Sequence, residues 1–342
     1  MSLVDPRELV APLPVLGALE AVEAPVATAM YRTMALVRRL DERMMILQRQ
    51  GRVGFYGTAS GQEAPPVAVA QALGADDWVF PALREGAAML HRGFPLDRYV
   101  AQVFGNALDP TLGRQMPSHQ ADRSVRQVSW SSCIGTQLPH AGGRVRHVVG
   151  MAAGARSRGA VAVGFFGGGA TSTAAFASSL RMARRLRAPC VFVCQNNQWS
   201  ISVPTERQTR ARALADKALA AGLHAARVDG NDALAVYGVA RAALEHARSG
   251  GGPVFVECLT YRMGAHSSSD DPTRYRSADE VERWRARDPV GRLRAHLLER
   301  VEAGELSRLE AEVEAEVQAA VARAEAAPPV RPTTLEQDVV AG

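Results

Sequence analysis

The chain has 342 residues, of which 47% are hydrophobic and 22% are charged, and its formal net charge is +5 at pH 7. This composition predicts a globular protein with enough apolar residues for a sizeable core. Lys217 is the single lysine among the 40 basic residues, and the arginines are scattered among acidic residues instead of forming a stripe. The pattern argues against nucleic acid as a partner.

The cysteines and the amino terminus indicate a cytoplasmic protein. The four cysteines form no C-x-x-C pair and no zinc pattern, and Cys190 and Cys194 fall on one side of a predicted apolar strand. Free buried thiols are typical of a reducing compartment. The first ten residues, MSLVDPRELV, lack the basic and apolar regions of a signal peptide, and no apolar run is as long as a membrane span. We therefore expect no membrane partner.

Helical periodicity dominates the first third of the chain. Apolar residues recur at helical spacing from 27 to 48, which predicts a long amphipathic helix. The glycine-containing stretch 51–61 interrupts this pattern, and two shorter helices are predicted at 62–73 and 84–91. This part of the chain is therefore expected to consist of helices joined by loops.

Short apolar strands alternate with helices in the middle of the chain. Four strands are predicted, at 161–166, 189–195, 225–229 and 253–260. The helices between them are predicted at 170–187, 210–222 and 232–248. Because such helices connect parallel strands by right-handed crossovers, we predict an α/β fold with a doubly wound parallel sheet. Ligands bind these sheets at the carboxyl ends of the strands.

The carboxy-terminal segment 278–326 is charged and is predicted to be helical, with Ser277 as its cap. The chain then becomes proline-rich, and no repeat or low-complexity linker divides it. We therefore expect an amino-terminal extension at 1–26, one domain at 27–330 and a tail at 331–342.

Polar motifs follow two neighbouring predicted strands. A glycine turn, Gly167 to Ser172, joins the first strand to a helix, so its backbone N–H groups can face an anion such as a diphosphate. The turn lacks the lysine of a Walker loop and the third glycine of the dinucleotide fingerprint, which makes a dinucleotide-binding protein a distant alternative. Asn196 and Asn197 follow the next strand.

This pair of motifs resembles the cofactor-binding motif of thiamine diphosphate enzymes. There, an acid within a glycine turn and the second of two asparagines hold a magnesium ion bound to the cofactor's diphosphate, together with a backbone carbonyl. The resemblance places Gly167, Gly169, Asn197 and the Trp199 carbonyl on those positions, with Ala170 beside the cofactor. It implies a sheet of the thiamine diphosphate-binding type.

Three further stretches resemble the alpha subunits of branched-chain 2-oxo acid dehydrogenases. They are 113–119 (GRQMPSH), 131–139 (SSCIGTQLP) and 261–271 (YRMGAHSSSDD), the last continued by 275–277 (YRS). The resemblance spans roughly residues 27–330, and several motifs in the correct order give it its specificity.

The resemblance also implies roles for residues in these stretches. Arg84 and Arg262 would bind diphosphate oxygens, since a planar guanidinium suits two-point contact with phosphate. His266 and His119 would be the catalytic residues that manage protons and orient the substrate or the lipoyl group. Ser132 and Ile134 would contact the aminopyrimidine ring of the cofactor. A potassium ion would be held through Ser131, Thr136 and Gln137.

The chain departs from the family pattern around the predicted metal. Gly168 stands where the family has the acid, so one carboxylate ligand is missing and the affinity for magnesium is expected to fall. The family's Ser-Glu-Gly-Asp after the glycine loop is replaced at 172–175 (STAA), its tyrosine before Arg84 by Leu83, and a frequent basic residue by Gln195.

The resemblance implies oxidative decarboxylation of a branched-chain 2-oxo acid and transfer of the acyl group to a lipoyl carrier. The implied partners are a beta subunit, in a heterotetramer with the cofactor between subunits, and a lipoyl-bearing acyltransferase. Two alternatives stay open. One is a paralogue that assembles but is weakly active or non-catalytic, as Gly168 suggests. The other is the alpha subunit of a pyruvate or acetoin dehydrogenase.

Overall fold

The computed structural model describes residues 22–130, 138–139 and 159–334. The predicted pyrimidine contacts Ser132 and Ile134 and the predicted potassium ligands Ser131, Thr136 and Gln137 lie outside the described residues, as does Cys133. Within the described part, no helix is both long enough and apolar enough to cross a membrane.

A parallel five-stranded sheet forms the centre of the described structure, with the strand order β1-β2-β3-β7-β6. Two further strands, β4 and β5, form a small antiparallel pair. The strands are β1 Trp78–Phe80, β2 Ala162–Gly167, β3 Cys190–Asn196, β4 Trp199–Ser200, β5 Val203–Pro204, β6 His224–Asp229 and β7 Val254–Leu259.

Helices surround this sheet, and the described part of the chain also contains 3₁₀ turns at Gly168–Ser172, Pro272–Arg274 and Pro332–Thr334. In chain order the helices are α1 Ala24–Arg49, α2 Ala64–Ala72, α3 Gly86–His91, α4 Leu96–Phe104, α5 Ala174–Leu186, α6 Thr205–Gln208, α7 Ala215–Ala220, α8 Ala233–Arg248, α9 Ala278–Arg285, α10 Pro289–Leu298 and α11 Ala303–Ala326.

Both faces of the sheet are buried, because successive strand residues point to opposite sides. In β3, Val191 and Val193 join the larger hydrophobic cluster, which includes buried residues of α1, α2, α8 and α11. Cys190 and Cys194 join a second cluster together with residues of α5 and α7. The two cysteines therefore share one face, as predicted, and both are free and buried.

The structure corrects two of the helix predictions. The predicted helix 170–187 begins later, because the glycines lead into a 3₁₀ turn and α5 starts only after its cap, Thr173, whose hydroxyl accepts a hydrogen bond from Phe176 N at 3.2 Å. The predicted helix 210–222 is reduced to α7, preceded by the one-turn helix α6.

The carboxy-terminal segment 278–326, predicted to be helical, forms three helices. Ser277 caps α9, as predicted, by accepting a hydrogen bond from Glu280 N at 3.2 Å. Asp288 caps α10 and is followed by Pro289, which fits the first turn of a helix but cannot continue the preceding one. Strand β1 and helix α4 have no counterpart in the sequence prediction.

Candidate active site

A cleft of about 400 Å³ opens at the carboxyl ends of β2 and β3. It is lined by every predicted catalytic, cofactor and metal residue that the structure describes: Arg84, His119, Gly167, Gly169, Ala170, Asn197, Trp199, Arg262 and His266. Five separate parts of the sequence contribute these residues. The parallel sheet brings them together, because its strand ends meet at one edge.

Arg84 lies at the cleft with its side chain buried; the residue is 7% exposed. Its guanidinium donates to the carbonyl oxygens of Thr58 and His266, the latter at 2.6 Å. Burial, followed by the positive charge of Arg262, lowers the pKa of Arg84 to about 10. Its positive charge is therefore held in a poorly solvated site that favours the arrival of an anion.

Arg262 follows β7 and is 1% exposed. It donates to the carbonyl oxygen of Ile201 at 2.8 Å and to the hydroxyl of Tyr275 at 2.9 Å, while its Nε has no hydrogen-bond partner among the described residues. Burial lowers its pKa as well. The hydrogen-bond acceptors that the described residues offer to the Arg84 and Arg262 guanidiniums are all uncharged at neutral pH, so both positive charges are available to an anion in the cleft.

His266 lies between these two arginines. Its Nδ1 is 3.3 Å from Arg84 Nη2 and 3.4 Å from Arg262 Nη1. An arginine can only donate, so Nδ1 must accept and the ring proton must reside on Nε2. Burial and then the charges of both arginines lower the pKa of His266 to about 4. The ring is therefore neutral at pH 7.

Asp270 fixes the loop that carries His266. Its Oδ2 accepts a hydrogen bond from His266 N at 2.7 Å and from the Tyr275 hydroxyl at 2.5 Å. Burial alone raises the pKa of Asp270, but these two hydrogen bonds and the charge of Arg262 outweigh it and lower the pKa below its usual value. An ionised Asp270 thus links Tyr275, Arg262 and His266 in one arrangement.

His119 reaches the cleft from the loop that follows α4. Its Nδ1 is 3.1 Å from the carbonyl oxygen of Pro117, which can only accept, so Nδ1 carries a proton. Gln102 on α4 holds this loop at two points, donating to Met116 O at 2.8 Å and accepting from Ser118 N at 2.8 Å. The sequence analysis did not identify Gln102, since a polar residue in a helix gives no signal of a loop contact.

Asn197 lines the cleft directly after the end of β3. Its Nδ2 donates to Gln62 Oε1 at 2.7 Å, and its Oδ1 accepts from Trp199 N at 3.2 Å. The amide oxygen, which the resemblance assigns to a metal, is therefore oriented by both neighbours. Gln62 lines the cleft too, and its Nε2 is buried without a partner among the described residues.

Gly168 is buried beside the cleft but is not among the residues that line it. A Cβ atom at this position would lie 3.2 Å from Leu214 Cδ1, 3.6 Å from Asn196 Oδ1 and 3.9 Å from Thr205 Oγ1. None of these three residues lines the cleft either. A side chain at position 168 would therefore start toward residues outside the cleft and would have to turn to reach the cleft.

Glu85 places a carboxyl group at the cleft, directly after Arg84. One of its oxygens accepts from Ala82 N at 2.8 Å and Arg84 N at 3.1 Å, and the other accepts from the Gln195 amide. Burial raises its pKa. The sequence analysis noted Gln195 as a departure; the structure shows that this residue contacts the buried acid.

Asp41 on α1 supports the cleft indirectly, because it forms hydrogen bonds with the loop 55–61. It accepts hydrogen bonds from Ala59 N at 2.7 Å and Ser60 Oγ at 2.9 Å. The same loop provides the Thr58 carbonyl to Arg84, and its Ser60 carbonyl accepts from Met263 N at 3.1 Å. A helix that contributes no residue to the cleft therefore holds the backbone that positions the arginine.

Comparison with known proteins identifies relatives over most of the chain. The sequence model of the family described as "Dehydrogenase E1 component" matches residues 31–333. The chain is 43% identical over 256 residues to the 2-oxoisovalerate dehydrogenase subunit alpha 1, mitochondrial, of Arabidopsis thaliana, covering 75% of this chain and 53% of the relative.

Two animal relatives show the same likeness. Identity to the 2-oxoisovalerate dehydrogenase subunit alpha, mitochondrial, is 40% over 248 residues for Caenorhabditis elegans and 38% over 250 residues for Homo sapiens, with 72% of this chain covered in each case. These alignments include 56% and 55% of the respective relatives. The chain thus spans about half the length of the curated relatives it matches. By the extent of the family match, it belongs to the dehydrogenase E1 component family.

Proposed function

We propose that the chain is the alpha subunit of a branched-chain 2-oxo acid dehydrogenase that binds thiamine diphosphate in the cleft at the ends of β2 and β3. The proposed reaction is oxidative decarboxylation of the 2-oxo acid, followed by transfer of the acyl group to a lipoyl carrier. The observation that carries the proposal is the pair of buried arginines, Arg84 and Arg262. The groups that accept hydrogen bonds from their guanidiniums are uncharged. The relatives named 2-oxoisovalerate dehydrogenase support the substrate class.

The cleft suits the diphosphate group of this cofactor, on which the family depends. Arg84 and Arg262 would bind its oxygens, and the glycine turn at 167–169, with Ala170, would bring backbone close to it. The buried, unpartnered Arg262 Nε and Gln62 Nε2 are further donors that a bound anion can satisfy. The parallel sheet is accordingly proposed to be doubly wound and of the thiamine diphosphate-binding type.

Magnesium would join the diphosphate to the protein through the Asn197 amide oxygen and the Trp199 carbonyl oxygen. In the described residues, no group of three or more His, Cys, Asp or Glu side chains is arranged to hold a metal. Phosphate oxygens and water would therefore supply most of the shell, and Gly168 contributes no side-chain ligand. We propose that magnesium binding is weakened as a result. A potassium site at residues 131, 136 and 137 stays a prediction.

When bound, thiamine diphosphate supplies the nucleophilic carbon and the electron sink for decarboxylation, while the protein orients the reactants and handles protons. His266 is neutral and keeps its proton on Nε2, so it can donate a hydrogen bond to a carboxylate or carbonyl oxygen of the substrate. His119, whose Nδ1 donates to Pro117 O, lines the same cleft and would help to orient the substrate or the lipoyl group.

The proposal includes partner subunits. An E1 alpha subunit implies a beta subunit, and we propose that the two form a heterotetramer in which the beta subunit completes the cofactor site. A lipoyl-bearing acyltransferase would receive the acyl group. None of these contacts involves nucleic acid or a membrane in the proposed assembly.

The test is to purify the chain with its beta subunit and to measure turnover of a panel of 2-oxo acids with a lipoylated acceptor, in parallel with calorimetric binding of thiamine diphosphate. Turnover highest with branched-chain substrates supports the proposal. Preference for pyruvate would favour the pyruvate or acetoin dehydrogenase alternative. Assembly with cofactor binding but no turnover would favour a non-catalytic paralogue, and failure to bind thiamine diphosphate would refute the assignment.

A further inference from the structure

A second groove, of about 780 Å³, lies beside the cleft on the other side of the Asn196–Trp199 turn. Five arginines line it, against three glutamates: Arg207, Arg212, Arg227, Arg274 and Arg283, with Glu206, Glu257 and Glu280. Hydroxyl groups of Ser202, Thr205 and Thr209 lie among them. The groove therefore combines positive charge with neutral hydrogen-bonding groups, the pattern that suits a phosphorylated ligand.

Two of the three glutamates are already engaged by the protein. Glu257 is fully buried and accepts from Asn196 Nδ2 at 2.7 Å and from Ala215 N at 3.0 Å. Glu280 accepts from Trp199 Nε1 at 3.0 Å and from the Tyr261 hydroxyl at 2.9 Å. Both oxygens of Glu257 and one oxygen of Glu280 are thus engaged by neighbouring groups of the protein.

Arg227 on β6 is an independent sign of a ligand site at the bottom of the groove. Its side chain is only 10% exposed, and its ion-pair contact within the described part of the chain, Nε to Glu257 Oε1, is 3.5 Å long. Its Nε has no hydrogen-bond partner among the described residues. The long contact to Glu257 leaves this Nε without a hydrogen bond, so an anion that reaches the guanidinium would be stabilised.

The groove shares residues with the neighbouring cleft. Trp199 lines both, and Tyr275, whose hydroxyl accepts from Arg262 and donates to Asp270, lines the groove. Arg274 is the residue before Tyr275. A ligand in the groove would therefore contact the segment that holds Arg262 and His266, without entering the cleft.

We propose that this groove is a second anion site, which binds a compact polyphosphate group. The bottom of the site is Arg227, and Arg207, Arg212, Arg274 and Arg283 surround its opening. Inorganic polyphosphate and nucleotides share the chemistry that the groove recognises, and the test below distinguishes these two sources. The site does not depend on the function proposed for the cleft.

The test is a calorimetric titration of the purified chain together with its partner subunit in magnesium-free buffer. Inorganic tripolyphosphate is the first titrant, and pyrophosphate and ADP are titrated separately. The double variant Arg212→Gln, Arg283→Gln removes two rim charges; neither residue forms an ion pair within the described structure, so folding should be preserved. The matched control is Arg181→Gln, Arg185→Gln, which removes two exposed charges from α5. Arg84→Gln alters the cleft alone.

The expected result is two tripolyphosphate ions bound per chain, one in the cleft and one in the groove. The groove variant raises the dissociation constant of one of them about tenfold or more, Arg84→Gln weakens only the other, and the α5 control changes neither. Equal weakening by the α5 control would show unspecific charge attraction and overturn the proposal. So would binding that is abolished completely in Arg84→Gln, or a wild type that binds no second ion. ADP binding tighter than pyrophosphate would identify a nucleotide as the ligand, and equal binding would identify the phosphate group alone.

Discussion

Tyr56 donates its hydroxyl proton to Asp41 Oδ1 at 2.9 Å, and both side chains are buried. The second oxygen of Asp41 accepts from Ala59 N and Ser60 Oγ, so one carboxyl group fixes the whole 55–61 loop. The Thr58 carbonyl oxygen of this loop accepts a hydrogen bond from the guanidinium of Arg84. The cleft thus depends on an acid that does not line it.

The first prediction concerns the pH dependence of this support. Burial and then the Glu63 carboxylate raise the pKa of Asp41 to about 7, although hydrogen bonds oppose the shift. The pKa of Asp41 in the folded protein is therefore above its value of 3.8 in the unfolded chain. Because of this difference, protonated Asp41 stabilises the fold most below pH 4, and the stabilisation is lost as pH rises through about 7.

We therefore expect the free energy of unfolding of wild type, relative to Asp41→Asn, to fall between pH 4 and 7 by about 1.4 kcal/mol per pH unit. Denaturant titrations of both proteins at several pH values measure this difference. The exposed Asp97→Asn serves as the control and should follow the wild type. If the free energies of unfolding of wild type and Asp41→Asn change with pH in the same way, the pKa of Asp41 is not raised and the prediction is wrong.

The second prediction concerns Arg84 as a ligand of the diphosphate. Removing one charged hydrogen-bond donor from a buried anion site costs about 1.5–3 kcal/mol, so Arg84→Gln should weaken thiamine diphosphate binding by roughly ten- to a hundredfold. Arg285→Gln, which replaces an arginine with a 60% exposed side chain on α9, is the control and should leave the affinity unchanged. Calorimetry measures both. Wild-type affinity in Arg84→Gln would mean that the diphosphate binds elsewhere.

The third prediction concerns the protonation of His266. Its pKa of about 4 results from burial and from the charges of Arg84 and Arg262. An anion bound between the arginines offsets those charges, so pyrophosphate should raise the pKa of His266 measurably. NMR of the histidine ring resonances, assigned with His266→Gln, measures the shift. A pKa that pyrophosphate leaves unchanged would contradict the geometry in which both arginines face Nδ1.

The extent to which the sequence predicted the structure differs between sheet and loops. Long apolar strands and the motif positions were predicted because each depends on a local pattern of residues, and β2, β3, β6 and β7 lie where they were expected. Strand β1 was missed, since three residues give no periodicity. The start of α5 was misplaced because the glycine turn, which permits many backbone conformations, forms a 3₁₀ turn here.

Supporting residues were missed for a different reason. Asp41 and Gln102 lie in helices whose sequences show only an amphipathic pattern, and their partners are loop atoms that are placed by the tertiary fold. Arg84 and Arg262 were identified by resemblance, but their shared contact with His266 was not. Arg84 is 182 positions from His266 in the chain, and Arg262 is 4 positions from it. Contacts of this kind follow from packing, which no local sequence pattern determines.

The fourth prediction concerns Gly168. A carboxylate restored there would add a negative oxygen ligand near the diphosphate, so Gly168→Asp should tighten magnesium-dependent thiamine diphosphate binding and raise turnover in the reconstituted complex. The opposing effect is steric: the new Cβ would lie 3.2 Å from Leu214 Cδ1 and would point toward Asn196 Oδ1, itself an acceptor. The carboxylate must therefore turn toward Asn197 to bind the ion.

Gly168→Ala separates these effects, because it adds the Cβ atom without the carboxylate. We expect Gly168→Asp to bind thiamine diphosphate more tightly than Gly168→Ala in the presence of magnesium, and the two to bind alike when magnesium is removed by a chelator. Calorimetry with and without the metal measures all four affinities. If the aspartate variant shows no advantage that depends on magnesium, the side chain at 168 stays directed at Leu214 and Asn196, and the missing acid does not limit metal binding in this protein.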